Sequence, residues 1–129
     1  MQPLTTHIDP RSDEYRANHD ALRAHLQIFR EAEQKALDLA ESARASFTRR
    51  GKLLPRDRLH RLLDRGSEFL ELCALTGYKM YDDTDGSQAG GGLIGGIGMV
   101  SGVRCLVVAS NSAIKGGTIT PAGLDKTLR

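Results

Sequence analysis

Residues 90–129 constrain the fold more than any other part of the chain. They read GGGLIGGIGMVSGVRCLVVASNSAIKGGTITPAGLDKTLR. A glycine-rich apolar run meets a Ser101-Gly102 turn, and a β-branched run follows from Val103 to Ala109. This order predicts a hairpin of two strands, Leu93–Val100 and Val103–Ala109. Because the second strand is apolar at nearly every position, we expect it to be buried on both faces.

The loop after this hairpin has the composition of a ligand-binding turn. Lys115-Gly116-Gly117 separates the strand from a helix that Thr120-Pro121 should open. A strand, a glycine-containing loop and a helix N-terminus together suit an anionic or carbonyl group. Lys115, Gly116 and Gly117 are therefore the candidate binding residues. A plain strand-to-helix turn is the alternative, because a phosphate-binding P-loop has its glycines before the lysine.

The glycines within the first strand approach a dinucleotide-binding fingerprint without completing it. Gly96-x-Gly98-x-x-Ser101 has serine in place of the third glycine, and it precedes a turn and a strand instead of a helix. We therefore interpret these glycines as positions where neighbouring strands approach closely.

The first part of the chain is predicted to be helical. Apolar residues recur at spacings near three and four from Ser12 onward, which predicts one long amphipathic helix ending near Arg50-Gly51. These residues are Leu22, Leu26, Phe29, Ala36, Leu37, Ala40, Ala43 and Phe47. A narrow apolar stripe of this kind should lie along a larger body or a partner subunit. The chain accordingly divides into a lead with an amphipathic helix, 1–50, and a second region, 51–129.

Three shorter segments are expected at the start of the second region. Pro55 suits the first turn of a short helix that ends at Arg65-Gly66. Residues 69–75 resemble a first strand, and the polar, acidic residues 78–89 a solvent loop. This acidic loop lacks the closing glutamate of a calcium-binding loop, because Gly92 stands at that position.

Composition excludes several classes of function. The net charge of +2 is too small to imply a nucleic-acid partner, and no apolar stretch is long enough for a membrane span. The four histidines are scattered, so no metal site is expected. Cys73 and Cys105 lie singly in apolar runs, which favours core packing and a reduced, cytoplasmic setting. The N-terminus lacks the apolar region of a secretory signal.

One stretch of the chain is strongly basic. Eight lysines and arginines lie between Arg44 and Arg65, and only Asp57 and Asp64 oppose them. This basic stretch either contacts phosphate groups or forms a solvated helix surface or subunit contact.

Four colinear segments resemble the carboxyltransferase β subunits of biotin-dependent acyl-CoA carboxylases. GKLLPRDRL at 51–59 is similar to the family's GKLLPRERI, and LDRGSEFLEL at 63–72 to its LIDPGSPFLEL. GGLIGGIGMVSGV at 91–103 resembles the family's glycine-rich hairpin, and ASNSAIKGG at 109–117 its ANDATVKGG. Together the segments cover about residues 49–129. Asn111 stands where aspartate is common in the family.

The resemblance implies an α/β fold, the N-terminal part of a crotonase-like (ClpP/crotonase) carboxyltransferase domain preceded by the long amphipathic helix. Residues 51–129 would be the truncated start of that domain. The complete subunit would transfer carboxylate from carboxybiotin to an acyl-CoA, with biotin carried on a partner α subunit and the β subunits forming a homo-oligomer. The family's first oxyanion-hole glycines would lie beyond Arg129. No catalytic residue is therefore assigned, and the 129-residue chain alone is expected to be inactive.

The sequence around the Lys115 loop also suggests a substrate subtype. A KGG loop favours branched-chain acyl-CoA over propionyl-type subunits, which tend to carry FGG. The following TITPAGLDK, at 118–126, differs from the AYYPVTVKK of methylcrotonyl-CoA carboxylases and looks more like a geranyl-CoA carboxylase β subunit. Geranyl-CoA is therefore the favoured substrate and 3-methylcrotonyl-CoA the next. A non-catalytic helix-plus-hairpin interaction module is the alternative function.

Overall fold

A computed structural model describes residues 6–129. The chain divides into two compact units, Met1–Glu31 and Ala32–Arg129. The elements are α1 (Asp13–Ser42), α2 (Arg44–Arg49), α3 (Pro55–Leu62), β1 (Leu70–Glu71), β2 (Leu93–Val100), β3 (Val103–Ser110), a 3-10 turn (Lys115–Gly117) and α4 (Pro121–Leu128). Helices thus combine with one antiparallel sheet of order β1-β2-β3, and the predicted mixture of helix and strand is confirmed. No helix within residues 6–129 has the length and apolarity to cross a bilayer.

The long helix begins where expected but is interrupted before its predicted end. Ser12 Oγ caps it by accepting a hydrogen bond from the Tyr15 N–H at 3.1 Å. Helical structure ends at Arg49, close to the predicted end, but the prediction of one continuous helix is wrong, because α1 ends at Ser42 and α2 starts at Arg44. Ser42 Oγ donates back to the Leu39 carbonyl at 2.6 Å, an interaction that bends helices.

The apolar stripe of the helical region is buried only in part. In the second unit, Ala40 and Phe47 are each 6% exposed and belong to the core. In the first unit, Leu22, Leu26 and Phe29 remain 59%, 42% and 61% exposed. Packing of this stripe along a larger body or a partner subunit stays a prediction.

The segments predicted as a longer α3 and a longer first strand are both shorter in the structure. Leu63 is already extended, with ψ of 149°, so α3 ends before Gly66. Strand β1 spans only Leu70–Glu71, because Cys73 adopts a left-handed φ of 52° and the Thr76 N–H turns back to its carbonyl. Cys73 is exposed, which contradicts its predicted core role, and Cys105 is half-buried.

The predicted hairpin is confirmed. β2 and β3 pair from Leu93 with Ser110 to Val100 with Val103. Ser101 and Gly102 have φ of 51° and 76°, as the two positions of a type I′ turn require. Close approach explains the strand glycines, because a Cβ at Gly96 would clash with the Leu70 carbonyl oxygen.

The prediction that β3 is buried on both faces is wrong. β3 is an edge strand of the sheet, and its residues alternate between half-buried and exposed. Val103, Leu106 and Val108 are 61%, 70% and 60% exposed. A continuous apolar run predicts burial on both faces only when a layer covers each face, and here α3 lies against β3.

The acidic segment 78–89 is not simply a solvent loop. Asp83 is only 2% exposed, and its carboxylate accepts hydrogen bonds from the Lys79 N–H at 2.9 Å and the Gln88 N–H at 3.1 Å. Ala89 is likewise buried. The segment therefore folds around a buried carboxylate that composition alone did not reveal.

Candidate functional site

The Lys115 loop leaves β3 through a fixed backbone turn. The Asn111 N–H donates to the Gly92 carbonyl at 2.7 Å, and its own carbonyl accepts from the Ile114 N–H at 2.9 Å. Lys115, Gly116 and Gly117 then take φ angles of 44°, 65° and 84°. The left-handed conformation is costly for any residue with a side chain, such as Lys115. Strain of this kind is concentrated at binding and catalytic sites.

The two loop glycines differ in what they offer a ligand. No atom lies within 4 Å of a Cβ built on Gly116, so its backbone faces open space. Gly117 is more constrained, because its N–H already donates to the Ile114 carbonyl at 2.9 Å and a Cβ there would lie 3.3 Å from Ser112 Cβ. Close backbone approach by a ligand is therefore possible at Gly116, while Gly117 shapes the turn.

Lys115 forms an ion pair that sequence analysis missed. Its ammonium group donates to the Asp82 carboxylate, and the two side chains are 36% and 66% exposed. The hydrogen bond from Lys115 lowers the pKa of Asp82 below its ordinary value. The partners lie far apart along the chain, so no local spacing could have indicated the pair. The lysine charge is therefore present at the surface, with a weak and exchangeable partner.

The predicted helix after the loop is confirmed as α4. Thr120 Oγ1 accepts from the Gly123 N–H at 3.0 Å and donates to the Gly91 carbonyl at 3.1 Å, and Pro121 occupies the first turn. A Cβ on Gly91 would lie 2.7 Å from the Gly123 nitrogen. The glycines at 90–92 thus bring the start of β2 against the first turn of α4.

A cleft of about 230 Å³ lies beside the foot of the loop. Arg56 crosses it to Glu71, with Nη1 and Nη2 donating to the two carboxylate oxygens at 2.7 and 3.0 Å. Asn111, 6% exposed, is also in its wall. The remaining wall residues are Glu33, Ala36, Leu37, Ala74, Ala89, Gly90, Leu93, Ile94 and Ile114. The Arg56–Glu71–Asn111 group was missed because its members come from three separate segments.

A half-buried lysine lies near the other side of β2. Lys126 Nζ donates to the Leu93 carbonyl at 2.8 Å, and burial lowers its pKa. Within residues 6–129, no three histidine, cysteine, aspartate or glutamate side chains gather as a metal site would require. The basic stretch is partly neutralised, because Arg44 pairs with Glu41 and Asp57 and Arg56 pairs with Glu71.

The chain is similar to several carboxylase β subunits. The crystal structure of the P. aeruginosa geranyl-CoA carboxylase beta subunit matches 97% of this chain and 23% of its own, with 54% identity and a TM-score of 0.85. The biotin-dependent 3-methylcrotonyl-coenzyme A carboxylase beta1 subunit of Mycobacterium tuberculosis is 50% identical over 94 residues, 73% of this chain and 17% of that protein. A probable mitochondrial methylcrotonoyl-CoA carboxylase beta chain of Drosophila melanogaster is 37% identical over 134 residues, 98% of this chain and 22% of that protein.

These matches cover a limited part of each relative. The chain spans between 17% and 23% of the length of the three proteins. The sequence profile of the carboxyl transferase domain nevertheless matches residues 47–129, which is more than half of this chain. The protein therefore belongs to the carboxyl transferase domain family.

Proposed function

We propose that residues 1–129 act as the N-terminal part of the carboxyltransferase β subunit of a biotin-dependent acyl-CoA carboxylase, a ligase. The observation that carries the proposal is the fold of the chain, 97% of which matches the geranyl-CoA carboxylase beta subunit at 54% identity. Family membership over residues 47–129 favours this function over a non-catalytic interaction module. The crotonase-like description of the complete domain is part of the same proposal.

The favoured substrate is a branched-chain acyl-CoA. Geranyl-CoA comes first, because the geranyl-CoA carboxylase structure matches 97% of this chain at 54% identity, and because the sequence of residues 118–126 suggests the same subtype. 3-Methylcrotonyl-CoA comes next, since the similar proteins of Mycobacterium tuberculosis and Drosophila melanogaster are named for that substrate.

The Lys115 loop is proposed to line the acyl-CoA site. Gly116 gives a ligand close access to the backbone, and Lys115 supplies a surface cation for a CoA phosphate. Because exposed ion pairs are weak, a phosphate group can displace Asp82 from Lys115 at little cost.

Biotin is proposed to arrive on a partner α subunit as carboxybiotin. The donors at the Lys115 loop suit an anionic phosphate better than a neutral ureido ring, so no residue of this chain is assigned to biotin and no carboxyl-transfer step is placed here. No residue among 6–129 is proposed as catalytic. A homo-oligomer of β subunits and a cytoplasmic location complete the proposal, although the Drosophila relative is named as mitochondrial.

A chimaeric β subunit tests this function. Residues 1–129 replace the matching segment of the P. aeruginosa geranyl-CoA carboxylase β subunit, which is assembled with its biotin-carrying partner. We expect avidin-sensitive incorporation of labelled bicarbonate into geranyl-CoA, with less into 3-methylcrotonyl-CoA and least into propionyl-CoA. The unmodified P. aeruginosa enzyme is the control for assembly and assay. An assembled chimaera that carboxylates none of the three substrates contradicts the proposal and favours the interaction module.

A further inference from the structure

Arg56 and Asn111 present complementary unpaired atoms beside the same cleft. Arg56 Nε is a donor and Asn111 Oδ1 an acceptor, and both are buried without a hydrogen-bond partner in the part of the chain that the structure describes. The two residues line the larger cleft together and also a smaller neighbouring one. Buried polar groups are almost always hydrogen-bonded in folded proteins. An unpaired donor and an unpaired acceptor beside the same cleft therefore indicate a missing hydrogen bond.

The guanidinium of Arg56 is held firmly on its far side. Its two terminal nitrogens form a bidentate pair with Glu71 on β1, and the two side chains are 31% and 20% exposed. Bidentate pairing fixes the plane of a guanidinium group as well as its position. The remaining donor, Nε, therefore has a direction set by α3 and β1.

Asn111 lies between the end of β3 and the candidate binding loop. Its backbone is fixed by hydrogen bonds to Gly92 and Ile114, and Lys115 follows four residues later. A hydrogen bond to the Asn111 side chain therefore restrains the segment that positions Lys115 and Gly116. Nothing in this arrangement needs the asparagine to touch a ligand itself.

We propose that Asn111 Oδ1 accepts a hydrogen bond from Arg56 Nε when acyl-CoA occupies the loop, which makes Asn111 a positioning residue for acyl-CoA binding. This inference rests on the proposed function of the Lys115 loop. The bond ties the loop to the rigid Arg56–Glu71 pair and thereby holds Lys115 in reach of the ligand. Formation of this bond also pairs both buried polar atoms, which stabilises the acyl-CoA-bound arrangement.

Three substitutions test this tie in the assembled holoenzyme whose β subunit carries residues 1–129. Asn111→Leu removes the acceptor at similar volume and should raise the KM for acyl-CoA about tenfold, the effect of about one lost hydrogen bond. The KM for carboxybiotin and kcat should change little. Asn111→Asp keeps an acceptor for Arg56 Nε and should restore the wild-type KM. Ser110→Ala, at the exposed end of β3, is the matched control and should have no effect.

A double-mutant cycle separates this inference from the proposed function. Arg56→Lys keeps a cation for Glu71 but lacks Nε, so Asn111→Leu should add almost nothing to the KM in its presence. Additive effects on KM, or a failure of Asn111→Asp to rescue, overturn the inference. If Asn111→Leu lowers the melting temperature alone, Asn111 is only a structural residue. Absence of any acyl-CoA turnover by the wild-type enzyme overturns the proposed function instead. Urea unfolding of the same variants at saturating acyl-CoA then tests the Arg56–Asn111 bond separately, and additive losses of stability under that condition overturn it.

Discussion

At the residue scale, the charge of Lys115 is the property that the proposed contact with a CoA phosphate requires. The lysine pairs with an exposed carboxylate, Asp82, in a turn that forces it into a left-handed conformation. Lys115 holds the pKa of Asp82 below its ordinary value of 3.8, so the pair is intact at neutral pH. Its contribution is lost only as the pH falls through that lowered pKa. If acyl-CoA binds at Lys115 as proposed, assays at neutral pH measure competition between Asp82 and the ligand for the lysine.

Removing the charge of Lys115 and removing the charge of Asp82 should shift acyl-CoA binding in opposite directions. Lys115→Ala should weaken binding by roughly 1–3 kcal/mol through loss of a charged hydrogen bond, and the KM for acyl-CoA should rise. Asp82→Asn frees the lysine for the ligand and should lower that KM. Steady-state kinetics of the assembled enzyme, with acyl-CoA and carboxybiotin varied in turn, provide the measurement.

Lys52→Ala serves as the control for this pair of variants, since Lys52 is an exposed cation in the connector before α3. If Lys115→Ala leaves both KM values unchanged and only lowers the melting temperature, the loop is a structural turn. The assignment of Lys115 to the acyl-CoA site is then wrong.

The β2–β3 hairpin is held at the element scale by a carboxylate from outside it. Asp64 Oδ1 and Oδ2 accept from the Ser101 and Gly102 N–H groups, each at 2.7 Å, and the Asp64 N–H donates to the Met99 carbonyl at 2.9 Å. Both turn residues have positive φ, so their N–H groups point to one side, where one carboxylate can satisfy both. These hydrogen bonds connect the segment after α3 to the turn of the hairpin.

Asp64→Ala should therefore destabilise the fold by about 2 kcal/mol, because hydrogen bonds to charged acceptors are among the stronger ones. Asp64→Asn keeps one acceptor oxygen and should lose about half as much. Urea unfolding monitored by circular dichroism measures both. An Asp64→Asn variant that loses nothing, beside a clear loss in Asp64→Ala, would show that the side chain acts by packing and not by its carboxylate.

The same elements show what the sequence could predict. The hairpin, its turn and the α4 start were predictable because their signals are local: Ser101-Gly102 between apolar runs, and Thr120-Pro121 before a helix. The interruption of α1 at Ala43 was not, because a serine bonding back to the helix leaves no change in apolar spacing. The Arg56–Glu71 pair and the Asp82–Lys115 pair join distant segments, and such contacts follow from the fold and not from spacing.

Apolar surface is unevenly covered at the scale of the whole molecule. The second unit buries a small aliphatic core that includes Ile94 at 1% and Leu59 at 4% exposure. The outer face of β3 remains open, with Leu106 and Val108 at least 60% exposed. An uncovered edge strand of this composition pairs with other chains unless charges, bulges or a covering element prevent it.

We therefore expect the 129-residue polypeptide, expressed by itself, to self-associate through the β3 face. Sedimentation velocity over a range of concentrations should show mass above that of a 14.1 kDa monomer. Leu106→Lys places a charge in the middle of the open strand face and should reduce association, since lysines on edge strands are a common defence against edge pairing. Ser110→Lys adds the same charge at the polar end of the strand and should have less effect. A wild-type chain that stays monomeric at every concentration, with a single cooperative thermal transition, would show that this face does not drive assembly. If both lysine variants reduce self-association equally, net charge, and not the position of the charge on β3, controls association.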